Sequence, residues 1–233
     1  MSEQYAALLD MLDTVAQALG EDLCQQVAFV GGCTTVLLVT DEVTLEDLRF
    51  TDDVDLVIQL SGYAGWPKLM EQLRRRGFME SPFDEVNCRM RLGELKVDFM
   101  PSDEAILGYS NLWFDEGFHH AQLHYLPSGA QIRVFSPPYF LGTKFEAYKG
   151  RGSGDALNSK DIEDIFNLVD GREELINEVR GSSDQLRSYL REHLADLINN
   201  RDFAYVVQSA TRGDLAREKI IFGRLKQMVK EGN

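Results

Sequence analysis

Apolar residues in the first forty positions follow a helical period and then a short continuous run. Residues 4–19 carry apolar side chains at helical spacing, which predicts an amphipathic opening helix. The apolar run 27–30 stops at Gly31-Gly32, which predicts a strand that ends in a tight turn. Residues 33–39 are apolar enough to predict a buried helix.

The next segments alternate between polar and apolar character. Residues 40–50 are mostly polar and predict a loop. A second strand is expected at 54–60, and a second amphipathic helix at 66–77. Pairs of short apolar runs then predict two hairpins, 86–92 with 95–100 around Gly93-Glu94, and 122–126 with 131–135 around Ser128-Gly129.

The pattern changes after Pro137-Pro138, where only helical periodicity remains. The predicted helices are 139–149, 159–169, 171–180, 183–199 and 212–230. We therefore expect an α+β protein with a small mixed β-sheet flanked by helices, followed by a helical C-terminal domain. The expected boundaries are 1–135 for the α/β domain and 136–233 for the helical domain.

Composition excludes some functional classes. Hydrophobic residues make up 44% and charged residues 27% of the 233 positions, an ordinary globular balance. No apolar run reaches the roughly 18 residues of a membrane span, and the first residues lack the pattern of a signal peptide, so no membrane association is expected. Three scattered cysteines fit neither a disulfide framework nor a zinc motif, which favours the cytoplasm. The formal charge of −14 argues against extended non-specific nucleic-acid binding.

The segment with the clearest chemistry is the start of the second predicted strand. Asp53 and Asp55 are two residues apart, so their side chains leave a strand on the same face while Val54 and Leu56 take the other. Two carboxylates on one face repel each other unless a cation lies between them. Mg²⁺ prefers such oxygen ligands and keeps open positions for substrate phosphates.

A third carboxylate occurs in a later apolar strand. Asp98 has apolar neighbours on both sides, and a strand placed beside Asp53 and Asp55 would bring the three together. Three converging carboxylates can bridge two metal ions, Mg²⁺ or alternatively Mn²⁺. Asp98 is also a candidate general base. A single Asp-x-Asp is more often a solvated strand end, so the hypothesis depends on all three.

Gly31-Gly32 adds to this pattern. Two glycines after a strand allow a phosphate to approach the backbone closely. Alone, the pair is more often an ordinary tight turn. The order Gly-Gly, Asp-x-Asp and then a lone Asp in a later strand is much harder to obtain by chance.

Phe29-Val30-Gly31-Gly32, Arg49 to Leu56 and Val97-Asp98-Phe99 together resemble the active-site pattern of the DNA polymerase β-like nucleotidyltransferase superfamily. Within it, the chain is most similar to AbiEii-type nucleotidyltransferases, many of which are toxins of type IV toxin–antitoxin or phage-defence systems. Further similarity lies in 140–152 and 159–165, so that the resemblance covers about 27–170.

The resemblance implies a nucleotidyltransferase fold whose helical part closes over the nucleotide. It implies metal binding at Asp53 and Asp55, and a metal or base role at Asp98. The residues that it implies for nucleotide binding are Gly31, Gly32, Thr34, Thr51, Lys144, Lys160, Asp161 and Asp164. Lys144 would contact the triphosphate, where a cation offsets charge that develops on the leaving pyrophosphate.

Some residues depart from the pattern or have simpler explanations. Cys33 stands where a serine or threonine often binds phosphate, and a thiol is a weak donor. Without the resemblance, Asp161 and Asp164 would be assigned to a solvated acidic face. The segment 149–154 is expected to be a mobile basic link, and the histidines at 119, 120 and 124 are expected to have surface or packing roles.

The sequence thus predicts transfer of a nucleoside monophosphate from an NTP to an acceptor hydroxyl, with release of pyrophosphate and with Mg²⁺. The acceptor is left open among a tRNA 3′ end, a protein side chain and a small molecule, and an antitoxin protein is an expected partner if the chain is a toxin. Two alternatives remain, a non-catalytic nucleotide-sensing or partner-binding module on the same fold, and a transferase that modifies an aminoglycoside-like molecule.

Overall fold

The computed structural model describes residues 3–60, 62–151 and 155–230. By compactness the chain divides into two units. Unit 1 comprises Met1–Leu37 and Leu48–Ser136, and unit 2 comprises Leu38–Asp47 and Pro137–Asn233. The second unit therefore includes ten residues, 38–47, that the sequence pattern places with the first.

Unit 1 contains one mixed sheet, which is six-stranded within the described residues and has the order β3-β4-β2-β1-β6-β5. The pairs β2–β4 and β1–β6 are parallel, and the other neighbours are antiparallel. The strands are β1 (Val27–Val30), β2 (Asp53–Ile58), β3 (Arg89–Leu92), β4 (Leu95–Pro101), β5 (Gln122–Tyr125) and β6 (Gln131–Val134).

The α-helices of the described residues occur in both units. In chain order they are α1 (Glu3–Cys24), α2 (Thr35–Leu38), α3 (Glu42–Glu46), α4 (Gly65–Arg75), α5 (Glu104–Leu107), α6 (Phe114–His119), α7 (Pro137–Gly150), α8 (Lys160–Gly171), α9 (Leu175–Arg180), α10 (Asp184–Asn199), α11 (Arg201–Ala210) and α12 (Leu215–Val229). A short 3-10 helix, Gly32–Thr34, connects β1 to α2.

The core of unit 1 lies around the central strands. All four residues of β1 are buried, so both faces of this strand are covered. Helix α1 packs against β1, β2 and β6, and its buried positions repeat at helical spacing. On β4, the ring of Phe99 meets that of Phe78 edge-on at 5.5 Å between centroids. These contacts fix the central strands in place, and the three candidate aspartates lie on two of them.

The two predicted hairpins set the register of the outer strands. Gly93 has a φ of 60°, so the two-residue turn pairs Leu92 with Leu95. Gly129 has a φ of 88° in the turn between β5 and β6. Both glycines adopt the left-handed region, which other residues enter at a cost.

Unit 2 is built around α8, of which nearly every residue after the first is buried. Helix α7 packs against α8, and α10 adds a buried stripe of leucines at 186, 190, 194 and 197. The C-terminal end of α8 contacts residues 38–47, because the carbonyl oxygen of Gly171 accepts hydrogen bonds from the N–H groups of Thr40 and Asp41, each at 2.9 Å. A Cβ at position 171 would come within 2.5 Å of Val39, so only glycine permits this approach. This packing explains why 38–47 joins the helical unit.

The predicted fold class is confirmed, since a mixed sheet flanked by helices is followed by a helical C-terminal region. The loop predicted at 40–50 was wrong in part, because it contains α3, whose first turn is capped by the Asp41 side chain accepting from the Thr44 N–H at 2.9 Å. Periodicity also missed α5, α6 and α11, the first two of which are only four and six residues long. Helices this short carry little periodic signal.

None of the helices in the described part of the chain is both long enough and apolar enough to cross a membrane.

Candidate functional site

The three predicted aspartates lie side by side on the sheet of unit 1. Asp55 on β2 is paired in register with Asp98 on the parallel strand β4. Asp53 lies two residues before Asp55 on the same strand, so all three side chains belong to one face of the sheet. Adjacent strands are about 4.8 Å apart, which places the Asp55 and Asp98 backbones within reach of a shared ligand.

The opposite face of the same strands is apolar. Val54 and Leu56 have no exposed surface, and neither have their register partners Val97 and Phe99. Strand alternation therefore separates the carboxylates from the core in the way that the sequence predicts. A one-residue shift of register would bury Asp53 and Asp55 and is excluded by that cost.

Gly31 lies directly against Asp55. Val30 pairs with Asp55 across β1 and β2, and the chain turns at Gly31 with a φ of 83°. A Cβ built on Gly31 would lie 1.9 Å from the Oδ2 atom of Asp55. The first glycine of the Gly-Gly pair is thus required twice, by its backbone conformation and by the carboxylate beside it.

The residues after Gly31 direct their polar groups back to the turn. Thr34 is fully buried and its hydroxyl donates to the Gly31 carbonyl oxygen at 2.8 Å. The Thr35 hydroxyl donates to the carbonyl oxygen of Gly32 at 2.7 Å. The buried Cys33 thiol lies 3.6 Å from the carbonyl oxygen of Val30. In this conformation the hydroxyl of Thr34 stabilises the turn.

Asp53 is oriented by a neighbour in its own segment. The hydroxyl of the buried Thr51 donates a short hydrogen bond to the Oδ1 atom of Asp53. The neighbouring Asp52 is exposed and pairs instead with Lys96, at 2.5 Å between Nζ and Oδ2. Of the two adjacent aspartates, only Asp53 belongs to the acidic face.

Asp98 is ion-paired with an arginine that is not among the predicted site residues. Arg89 on β3 is its register partner, and the Nε and Nη2 atoms of the guanidinium each lie 2.7 Å from a carboxylate oxygen of Asp98. Both side chains are largely buried, with 18% and 11% of their surface exposed. This bidentate pair raises the pKa of Arg89 above its ordinary value, and the charge of Asp53 adds to the effect.

The donor set suits a hard divalent cation, since three carboxylates share one face and Gly31 leaves room beside Asp55. Their side chains are not arranged as a cage: within residues 3–60, 62–151 and 155–230, no three or more His, Cys, Asp or Glu side chains are placed to hold a metal ion. The Arg89 guanidinium occupies both oxygens of Asp98. A metal that binds Asp98 has to compete with Arg89.

A thiol and a phenol lie close to the acidic face. Burial raises the pKa of the Cys88 thiol to about 11, and the charges of Asp98 and Asp55 contribute further to that rise. Burial likewise raises the pKa of Tyr109, which shares a hydrogen bond with Cys88. Both groups remain protonated at neutral pH, so neither is a nucleophile here.

A second cluster of predicted residues lies within unit 2. Lys144 on α7 is buried, and its Nζ atom lies 2.6 Å from Oδ2 of Asp164 and 3.6 Å from Oδ1 of Asp161. Both aspartates on α8 are at most 2% exposed, so they do not form a solvated acidic stripe. Arg151 completes the cluster through an ion pair with Asp161. Lys144 is thus buried with the two carboxylates, whereas Arg151 pairs with Asp161 from the surface, with 71% of its side chain exposed.

The remaining candidates lie at the surface. Lys160 is exposed at the first position of α8, which is capped by the Ser159 hydroxyl. His119 at the end of α6 and His120 directly after it are exposed, and His124 on β5 is half-buried. The basic link was predicted at 149–154. Its first two residues belong to α7, which extends to Gly150, and residues 152–154 lie outside the described residues.

The sequence contained enough information to find Arg89. A two-residue turn at Gly93-Glu94 pairs Leu92 with Leu95, and counting outward from that pair places Arg89 opposite Asp98. The same count places Arg91 opposite Lys96. By contrast, the pairing of Lys144 with Asp164 joins two helices and follows from no local spacing.

Scans against models of known protein families and against curated proteins find no match to this chain. The functional argument therefore depends on the residues and their geometry.

We expect Gly31→Ala to destabilise the protein and to displace Asp55. The substitution combines a left-handed φ with a collision against a carboxylate, so the free energy of unfolding should fall by about 3 kcal/mol. Gly129→Ala is the matched control, because φ there is 88° and the space around the added Cβ is open, and it should lose only about 1 kcal/mol. Urea unfolding measures both. Equal losses would show that Gly31 is required for its backbone conformation alone.

We expect Lys144→Met to cost about 3 kcal/mol of unfolding free energy, because it leaves Asp164 and Asp161 buried without their shared cation. Lys149→Met is the control on the same helix. Lys149 is paired with Glu146 but 46% of its side chain is exposed, so its removal should cost less than about 1 kcal/mol. Chemical denaturation of both variants tests this. If Lys144→Met were as stable as the control, Lys144 would not stabilise the cluster.

Proposed function

We propose that this chain is a Mg²⁺-dependent nucleotidyltransferase that moves a nucleoside monophosphate from an NTP to an acceptor hydroxyl. The observation that carries the proposal is the register of β2 and β4, which sets Asp55 beside Asp98 and on the face of Asp53. The approach of Gly31 to Asp55 supports it, since a glycine there keeps the backbone out of the space beside the carboxylate. The resemblance to AbiEii-type nucleotidyltransferases agrees with this arrangement.

In the proposal, each residue around the acidic face has a separate task. Asp53, Asp55 and Asp98 would hold the metal, which when bound neutralises phosphate charge and lowers the pKa of an attacking hydroxyl. Thr51 fixes the carboxylate of Asp53 through its hydrogen bond. Arg89 balances the charge of Asp98 while no metal is bound, so the face does not carry three unpaired carboxylates.

The ion pairs of Lys144 in unit 2 restrict how this lysine would contact the triphosphate. Lys144 is ion-paired, and its side chain is only 11% exposed. In the proposal Asp161 and Asp164 therefore position the lysine, and a phosphate that contacts it shares the ammonium group with these carboxylates. Lys160 is exposed and available to solvent-borne ligands.

The proposal includes three classes of acceptor, a partner protein and a cellular location. A tRNA 3′ end is the acceptor that a toxin role would need, with an antitoxin protein as partner. A protein hydroxyl and a small aminoglycoside-like molecule are the other acceptor classes. A cytoplasmic location agrees with the three cysteines, all of which are free thiols buried in the fold.

Incubation with Mg²⁺ and each α-labelled NTP, in separate reactions with tRNA, protein extract or aminoglycoside, tests the proposed reaction. Wild type should transfer label to one acceptor class and release pyrophosphate. Asp53→Asn and Asp55→Asn should each lower the rate by about a hundredfold or more, because an amide is a weaker metal ligand.

Asp52→Asn is the control for that experiment. Asp52 adjoins Asp53, but it is exposed and pairs with Lys96, so its variant should keep nearly full activity. Label transfer that persists at the wild-type rate in an Asp53→Asn/Asp55→Asn double variant would falsify the site.

A non-catalytic module on the same fold is favoured by one observation, the bidentate Arg89 pair that occupies Asp98. Metal titration of Arg89→Met separates the two functions. If Asp98 is a metal ligand, removal of its competitor should strengthen Mn²⁺ binding severalfold, as measured by calorimetry or electron paramagnetic resonance. The physical reason is that a carboxylate bound on both oxygens has to be released before it can bind a metal.

Arg91→Met is the matched control, since Arg91 lies on the same strand and makes a similar bidentate pair with Asp84, at 2.7 Å for both contacts. Its removal should leave metal affinity unchanged. Unaltered Mn²⁺ affinity in Arg89→Met, or no metal binding to any variant, would support the non-catalytic module.

A further inference from the structure

Unit 2 contains a cavity of its own, of about 690 Å³. Its walls come from α3, α8, α11, the loop before α8 and the start of α12, and all of them belong to unit 2. A volume of roughly 300–1,000 Å³ is typical of small-molecule sites. None of Asp53, Asp55 and Asp98 lines it, so this cavity is separate from the residues of the proposed transfer reaction.

Most polar groups in the cavity wall are already satisfied by the protein. Asp170 accepts from the Nε and Nη2 atoms of Arg217 at 2.9–3.0 Å. Asp214 caps α12 by accepting from the N–H groups of Ala216 and Arg217. The Thr211 hydroxyl donates to the carbonyl oxygen of Val207 at 2.9 Å. These groups build the wall and do not need a ligand.

Asn167 is the exception. It lines the cavity from α8 and is only 6% exposed. Its carboxamide has no hydrogen-bond partner within residues 3–60, 62–151 and 155–230. Water or a ligand in the cavity therefore satisfies its donor and its acceptor, since the carboxamide atoms are not sealed from solvent. A ligand that supplies both an acceptor and a donor would match the carboxamide.

The surfaces around Asn167 fit a flat, partly apolar molecule. Phe166 precedes it on α8, and Tyr205 on α11 lines the same cavity with 45% of its surface exposed. Val43 and Leu157, both more than half exposed, extend the apolar wall. Aromatic side chains stack on nucleobases of any sequence.

Charge restricts the class further. The wall has a formal excess of two negative charges. It carries four carboxylates, from Asp47, Glu163, Asp170 and Asp214, and two guanidinium groups, from Arg212 and Arg217. A polyphosphate would be repelled from such a wall, whereas an uncharged molecule would not. The occupant is therefore not an anion.

We propose that this cavity binds a neutral nucleoside, with the Asn167 carboxamide pairing to the edge of an adenine base. A carboxamide carries a donor and an acceptor side by side, and asparagine pairs in this bidentate way with the amino group and ring nitrogen of adenine. The base lies against Phe166 or Tyr205 and the uncharged ribose extends towards the open side. This site does not rest on the proposed transferase function.

Two-dimensional ¹H–¹⁵N NMR of the full chain with added adenosine tests the site. Adenosine should shift the side-chain amide signals of Asn167, which are identified by their loss in Asn167→Asp. Asn167→Leu should weaken adenosine binding about tenfold or more, and Asn167→Asp, which keeps the shape but loses the donor, should do so as well. Asn199→Leu is the control, because Asn199 is exposed on α10 and bonds the carbonyl oxygen of Ala195.

Ligand variants complete the experiment. Purine riboside lacks the exocyclic amine and should bind about tenfold more weakly than adenosine, and adenosine triphosphate without metal should also bind more weakly. The Asp53→Asn/Asp55→Asn variant should bind adenosine as wild type does, so that failure of the transferase proposal leaves this one standing.

The proposal would be overturned by the absence of saturable adenosine binding, which would leave solvent as the occupant. Equal binding of purine riboside, or unchanged binding in a folded Asn167→Leu variant, would overturn it as well. Adenosine binding that is lost with Asp53 and Asp55 would place the nucleoside elsewhere and would also contradict it.

Discussion

The pairing of Asp55 with Asp98 in parallel strands, with Arg89 and Gly31 on either side, is the constraint on which the account of unit 1 depends. Carboxylates in adjacent strand positions repel each other, and a sheet tolerates them only where a cation compensates. Here the guanidinium of Arg89 supplies that compensation for Asp98. The glycine lets the β1 turn pass beside Asp55. The same arrangement that stabilises the sheet thus leaves an acidic face, at which we propose that a divalent cation binds.

Unit 2 follows the same principle with different partners. Lys144 is buried with Asp164 and Asp161, and Arg217 is paired with Asp170. Buried charges are tolerated when each has a partner, and breaking one pair is far more costly than losing a surface pair. Asn167 differs from all of these, since its buried carboxamide has no such partner in the described part of the chain. That contrast is the reason for proposing a ligand site beside Asn167.

Sequence periodicity predicted the main strands, the two hairpins, the fold class and the face that Asp53 and Asp55 share. These follow from local rules, because alternation and turn glycines act over a few residues. Helix α3 and the transfer of 38–47 to unit 2 depend instead on Gly171, which is more than a hundred residues away. Arg89 could have been predicted as the partner of Asp98, since the hairpin turn fixes the register of β3 and β4. The partners of Lys144 and the isolation of Asn167 required the tertiary structure, as contacts between helices leave no spacing signal.

Diffraction from crystals grown with Mn²⁺ and a non-hydrolysable NTP, recorded for Mn²⁺ anomalous scattering, tests the central claim most directly. The account predicts one or two peaks within about 2.5 Å of the carboxylate oxygens of Asp53, Asp55 and Asp98, with Arg89 released from Asp98. Anomalous peaks that avoid these carboxylates, or an intact Arg89–Asp98 pair with nucleotide bound and no metal at the acidic face, would contradict it.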